Sequence, residues 1–167
     1  MIEFVRIKSD YIEALRKVDK RVQSNAPEQG KNTKPFLGAL FQLPANGITY
    51  YAPISSPKTK HHTMSNQRDF HKILDVNNNL LAVINFNNMV PVAAGLFAKI
   101  EFSTDKDKTL LEKEYKFCRD NENILKNKAY KLYTRYDKGL LSPNEKARTC
   151  DFHLLEKEMQ RYSNKKI

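Results

Sequence analysis

Phe36-Leu37-Gly38-Ala39-Leu40-Phe41-Gln42-Leu43-Pro44-Ala45-Asn46-Gly47-Ile48-Thr49-Tyr50-Tyr51 is the stretch that decides the fold. Its two apolar runs, 36–41 and 48–51, flank Pro44-Ala45-Asn46-Gly47, turn residues that make a hairpin of them. The second run continues as Tyr50-Tyr51-Ala52-Pro53-Ile54-Ser55-Ser56-Pro57-Lys58. It stops at a proline, which has no backbone N–H for a sheet ladder. Working outward, residues 1–7 read as a strand and Ser9-Asp10 opens a helix. Asp10 and Glu13 have capping-box spacing, and Tyr11, Ile12, Leu15 and Val18 recur at helical intervals. Residues 23–34 and 57–69 are polar loops. Segments 70–74, 80–86 and 92–102 read as strands, with Asn77-Asn78-Asn79 as a turn. From Thr104 the period lengthens. Leu111, Tyr115 and Cys118 share a helical face, with Thr104 or Asp105 as its cap. Ile124, Leu125, Ala129, Leu132, Tyr133 and Tyr136 mark a second helix ended by Lys138-Gly139. Ser142-Pro143 opens a short turn or helix, and Asp151 caps a last helix carrying Leu154, Leu155 and Met159. The pattern predicts one α+β domain over residues 1–167, a twisted antiparallel β-sheet core flanked by about four helices.

Charge narrows the class of partner. The chain has 29 Lys and Arg against 19 Asp and Glu, a net charge of +10 on 167 residues. Such an excess attracts polyanions, above all nucleic acid, through phosphate neutralisation and counterion release. No apolar run reaches the roughly 20 residues that span a bilayer, and the N-terminal segment lacks a signal-peptide layout. A cytoplasmic protein with no membrane partner is expected. Cys118 and Cys150 read as two reduced, buried, inert thiols. Residues 106–138 interleave ten Lys and Arg with six acids, the pattern of a solvated helix surface. The loops differ. They carry Lys31, Lys34, Lys58, Lys60 and Arg68, with His61 and His62 added, and both adjoin the hairpin. Together they predict a basic groove suited to single-stranded nucleic acid.

Ser55, Ser56 and Lys58 place two hydroxyls and an ammonium at a strand end. This arrangement suits a phosphate ester, although Ser-Ser-Pro is also an ordinary turn. Metal ligands at diagnostic spacing, a phosphate-cradling glycine loop and a nucleophile elbow are all missing, so no metal and no cofactor is expected. RNA cleavage needs less equipment. The 2′-hydroxyl attacks the adjacent phosphate, and the protein positions the strand, stabilises the charged transition state and moves two protons. Lys34 or Lys58 would need a lowered pKa to act as a base. His61 or His62 suits proton delivery to the leaving 5′-oxygen, the alternative being two solvated loop residues. A non-catalytic basic RNA-binding module is the competing reading. Tyrosines and phenylalanines at core periodicity, rather than clustered for base stacking, favour the enzyme.

These residues also carry a family resemblance. Lys34-Pro35-Phe36-Leu37-Gly38 and Tyr51-Ala52-Pro53-Ile54-Ser55-Ser56-Pro57-Lys58 resemble the ToxN/AbiQ toxins of bacterial type III toxin–antitoxin systems. So do Leu81-Ala82-Val83-Ile84-Asn85-Phe86-Asn87-Asn88-Met89-Val90-Pro91-Val92 and Thr149-Cys150-Asp151-Phe152-His153-Leu154-Leu155-Glu156. The resemblance implies a fold similar to the MazF/Kid toxins. It implies a metal-independent, sequence-selective endoribonuclease that leaves 2′,3′-cyclic phosphate and 5′-hydroxyl ends and serves in phage abortive infection. The implied partners are RNA throughout, with no DNA: messenger and antitoxin-precursor substrates, and a repeated pseudoknot antitoxin that wraps the toxin into a closed assembly. Ser56 matches the family's critical serine, Ser55 the preceding hydroxyl (often threonine), and Lys34 and Lys58 the groove lysines. Gly30 and Lys31 stand where some relatives have a tyrosine. Lys113, Lys116, Arg119, Lys126 and Lys128 are expected to grip the antitoxin backbone, and Lys31, Lys60 and Arg68 of the loops to bind RNA in the basic groove.

Overall fold

The computed structural model describes residues 1–26 and 33–165. Among them are seven strands and five α-helices. The strands are β1 (Glu3–Ile7), β2 (Phe36–Gly38), β3 (Tyr50–Ser55), β4 (Phe70–Leu74), β5 (Leu80–Asn85), β6 (Val90–Pro91) and β7 (Phe97–Lys99). The helices are α1 (Ser9–Val18), α2 (Lys108–Asp120), α3 (Glu122–Asp137), the short α4 (Pro143–Arg148) and α5 (Phe152–Lys165). All strand pairs are antiparallel, in the order β4-β5-β3-β2-β1-β7, and β6 pairs with the start of β3. The α+β class and its antiparallel sheet are as expected. No helix among the described residues is long and apolar enough to cross a membrane.

The hairpin forms, with Gly47 in the left-handed region at φ 74°. Its ladder continues past β2 irregularly, Leu40 N–H donating to the Tyr50 carbonyl and Leu43 N–H to that of Ile48. Gly38 ends β2 under the ring of Tyr51: a Cβ there would lie 2.0 Å from Tyr51 Cδ2. Local end signals also hold. Gly139 (φ 70°) follows α3, and Ser142 and Glu145 close a capping box on α4. Asp151 accepts from Leu154 N–H at the start of α5.

Three expectations need correction. No capping box forms at α1. Its cap is Lys8, Asp10 instead accepts the Tyr162 hydroxyl, and Glu13 pairs with Arg16. The strand expected over 92–102 is broken, because Gly95 (φ 85°) turns the chain before β7 begins at Phe97. Helix α2 starts later than Thr104 or Asp105 allow, with Asp107 as its cap. Asp105 is held by Arg6 across 2.6 Å.

One continuous core joins sheet and helices. On one side Phe4, Phe102 and Tyr115 meet edge to face. On the other, the rings of Tyr50, Tyr133 and Phe152 pack together. The Tyr50 and Tyr133 hydroxyls both donate to Glu156 Oε2, at 2.5 and 2.6 Å, so buried polar groups are satisfied where α5 packs against the sheet. Cys118 and Cys150 are buried and unpaired, as expected. Burial pushes the Cys118 thiol up and takes Cys150 to about 12.

Candidate active site

Register brings the site together. Antiparallel pairing sets Phe36 opposite Pro53. Two residues further out, the same register sets Lys34, just before β2, opposite Ser55, the last residue of β3. Ile54 N–H donating to the Pro35 carbonyl at 2.9 Å holds this end of the ladder. Lys34 Nζ then donates to Ser55 Oγ at 3.1 Å and to Gln23 Oε1 at 2.8 Å. Ser55 donates to the same Gln23 oxygen at 3.1 Å and accepts from Asn85 Nδ2 at 3.1 Å. Gln23 Nε2 donates in turn to Asn88 Oδ1 at 2.7 Å, and Asn88 Nδ2 to the Arg21 carbonyl at 2.8 Å. Every hydrogen-bonding position of Ser55 is therefore occupied, and the ammonium of Lys34 is aimed by two oxygens.

Ser56 is different. It is exposed, and its hydroxyl makes no hydrogen bond among the described residues. Ser55, Ser56 and Lys34 line one cavity of about 270 Å³, with Pro35 and Ile54 beside them. Its far wall is α2, which contributes Asp107, Leu110, Leu111 and Glu114. Arg6 from β1 borders the same space and donates to the Thr33 carbonyl, pinning the residue that precedes Lys34. The arrangement can hold a phosphate: one directed cation, one free hydroxyl, and a fixed network beneath them.

The other candidates lie elsewhere. Lys58 is exposed two residues beyond Ser56, outside the cavity lining, and its backbone N–H donates to His61 Nδ1 at 2.8 Å. His61 is not a solvated loop residue: it is buried against Phe70 at the end of a 3-10 turn over Thr59–His62. Burial, with Lys60 and Lys58 nearby, holds its pKa below the ordinary value. His62 is exposed, and neither ring lines the cavity. Lys31 falls outside the described residues.

Lys60 is exposed on the 3-10 turn. Arg68 joins Lys128, Lys131 and Arg135 around a second hollow against α3, so the loop over 57–69 meets a helix rather than closing over the hairpin. Lys128 is tied down there, donating to the Phe70 carbonyl at 2.8 Å beside His71 Nδ1, and burial lowers it to about 8. Lys116 and Arg119 pair with Asp120, and Lys126 with Glu122. Lys113 borders a hollow with residues 74–77. No three His, Cys, Asp or Glu side chains converge as metal ligands among the described residues.

A family model for toxin ToxN of type III toxin–antitoxin systems matches residues 3–160. The chain belongs to this family. Endoribonuclease ToxN of Bacillus thuringiensis subsp. kurstaki is 30% identical over 98% of this chain and 85% of its own length. Endoribonuclease ToxN of Pectobacterium atrosepticum is 27% identical over 94% of this chain and 91% of its own. Among solved structures, one match comes from work on bacterial type III toxin–antitoxin systems and selective toxin inhibition by a non-coding RNA pseudoknot. It superposes with TM-score 0.82 at 26% identity, covering 97% of this chain and 98% of that one. A second, from a bacterial antiviral system regulated by a processed non-coding RNA, gives 0.83 at 27%, over 95% and 97%.

Sequence reasoning misses Gln23, Asn85, Asn88 and Glu114. Gln23 looks like the start of a polar loop and Glu114 like one more charge on a solvated helix. Asn85 did leave a signal, as an amide closing an otherwise apolar strand.

Proposed function

We propose that this endoribonuclease toxin cleaves RNA by internal transesterification at the Lys34–Ser55–Ser56 corner, with no metal in the chemistry. The observation that carries the reading is the aimed ammonium of Lys34 beside the unengaged hydroxyl of Ser56 in one cavity. The 2′-oxygen of the substrate forms a bond to the adjacent phosphorus while the bond to the 5′-oxygen breaks. The 2′-proton leaves to a base and the 5′-oxygen takes a proton, leaving a 2′,3′-cyclic phosphate and a 5′-hydroxyl. Lys34 and Ser56 stabilise the charge that builds on the phosphate oxygens, in a site already organised before substrate arrives. Ser55, Gln23 and Asn85 hold Lys34 in place. Lys58 and the basic loops draw the strand in, and His61, neutral and engaged with Lys58 N–H, is a poor proton donor; His62 is the freer of the two.

The second RNA partner is an inhibitor. The structural relative restrained by an RNA pseudoknot superposes along nearly the whole chain, and a charge of +10 offers a folded RNA more surface than a short substrate needs. The setting is defence against phage, in the cytoplasm. A basic module without chemistry would explain the charge but not the half-buried Lys34–Gln23–Ser55–Asn85 network. Mixed RNA incubated with the purified protein in EDTA tests the reading: new 5′-hydroxyl and cyclic-phosphate ends are expected, absent with Ser56→Ala. Cleavage that stops in EDTA and returns with a divalent ion would overturn the metal-free mechanism.

A further inference from the structure

Arg6 is a cation on a face of the sheet that is otherwise apolar and covered. Side chains two apart on a strand share a face, so Arg6 of β1 lies on the side of Phe4, which packs against Phe102 and Tyr115. Its side chain is 24% exposed and borders the candidate cleavage cavity. Two of the five guanidinium N–H donors are directed to different parts of the chain. One goes to the Thr33 carbonyl, a single residue before Lys34, and the other to Asp105 Oδ2 at 2.6 Å. The Asp105 side chain is only 6% exposed, and its Oδ1 accepts at 2.9 Å from the N–H of Asp107, the cap of α2. Helix α2 is the opposite wall of the cavity. One planar fork therefore ties the wall that carries Lys34 to the wall made by α2.

We propose that Arg6 is a positioning residue for RNA cleavage: by bridging Thr33 and Asp105 it fixes the separation of the two cavity walls, and so where the Lys34 ammonium sits relative to Ser56. The inference rests on the reading of the Lys34–Ser55–Ser56 corner given above. Gln23 and Ser55 hold Lys34 at its tip, whereas the Thr33 contact sets the backbone from which that side chain projects. Neutralising Asp105 would by itself account for a positive charge here, and a lysine would do as much. The guanidinium adds a rigid plane that serves a carbonyl and a carboxylate at a fixed angle, which an ammonium on a flexible stem does not. Position matters more to rate than to folding. A displacement of about 1 Å at a reacting group costs on the order of 100-fold in rate, while the core around Phe4 stays packed.

Cleavage kinetics on one RNA, with thermal melts alongside, test this for wild type, Arg6→Lys, Arg6→Gln, Lys34→Ala and Arg6→Gln combined with Lys34→Ala. Arg6→Gln should lower kcat roughly 10- to 100-fold with KM little changed. Arg6→Lys keeps the charge without the fork, so it should melt closer to wild type than Arg6→Gln yet remain slow. In the Lys34→Ala background, Arg6→Gln should cost less than about twofold, because both residues act through one group. Where Lys34→Ala cleaves too slowly to follow, Gln23→Ala, which releases the same ammonium, takes its place in the cycle. If Arg6→Gln alone does not fold, Arg6→Gln with Asp105→Asn removes both charges of the pair. That double variant should fold and still cleave slowly. Equal losses with and without the Lys34 substitution overturn the proposal, as does full cleavage by Arg6→Lys or by the double variant. Unchanged cleavage by Lys34→Ala would sink the reading of the corner itself, and this proposal with it.

Discussion

Ser55 and Ser56 adjoin in sequence, but only Ser55 is locked in place, so the two should fail differently. On the proposed chemistry, removing the Ser56 hydroxyl takes away a donor to developing charge, and kcat should drop about 10²- to 10³-fold with folding intact. Ser55→Ala instead deprives Lys34, Gln23 and Asn85 of a shared partner. Its loss should overlap with that of Gln23→Ala, so the double variant is expected to be milder than the two losses added; single-turnover rates on one RNA measure this. The Glu114 carboxyl gives a second residue-level expectation. Its folded pKa is raised to about 8, so its favourable contribution is present below the ordinary glutamate value and is lost as pH rises towards 8. Wild type should lose stability between pH 6 and 8.5 relative to Glu114→Leu by on the order of 2 kcal/mol, read from denaturation midpoints. Two serines and a lysine at a strand end are legible in sequence because neighbours in the chain stay neighbours. Gln23, Asn85 and Glu114 are not, because only the register of β2, β3 and β5 and the docking of α2 bring them in.

At the scale of elements, local signals proved sound where the chain alone decides. The 44–47 turn, the glycine after α3 and the Ser142-Pro143 start of α4 each depend on a few consecutive residues. The α1 cap misled because a tertiary partner, Tyr162, took Asp10, and the 92–102 strand because Gly95 turned the chain at positive φ. Gly38 is a case where an element depends on a missing side chain. Gly38→Ala would drive a methyl into the Tyr51 ring, one strand from Lys34, and should destabilise the protein by about 1–3 kcal/mol. Thermal melts check it, and activity should fall with the β2 register. The hollow between the 57–69 loop and α3 is an electrostatic element. In a Ser56→Ala background, Arg68→Ala with Lys131→Ala should lower the log–log salt slope for single-stranded RNA by about 1–2, weakening all sequences alike.

Over the whole molecule, the proposed reacting groups come from the first hundred residues, while the core that holds them is closed by the last helix. Phe152, Leu155 and Met159 of α5 are buried, Glu156 takes the hydroxyls of Tyr50 and Tyr133, and Tyr162 reaches Asp10 on α1. A chain cut before Phe152 keeps Lys34, Ser55, Ser56 and Glu114. It should nevertheless be inactive, with the loss of native near-UV circular dichroism and rapid proteolysis as the readout. Synthesis runs in the same direction as that experiment. While α5 is still inside the ribosome, the nascent chain carries Ser56 and Lys34 on an open sheet with one side of the core unsealed. Nuclease competence is therefore expected to follow the docking of α5 rather than to precede it, whatever the order in which the rest of the chain folds.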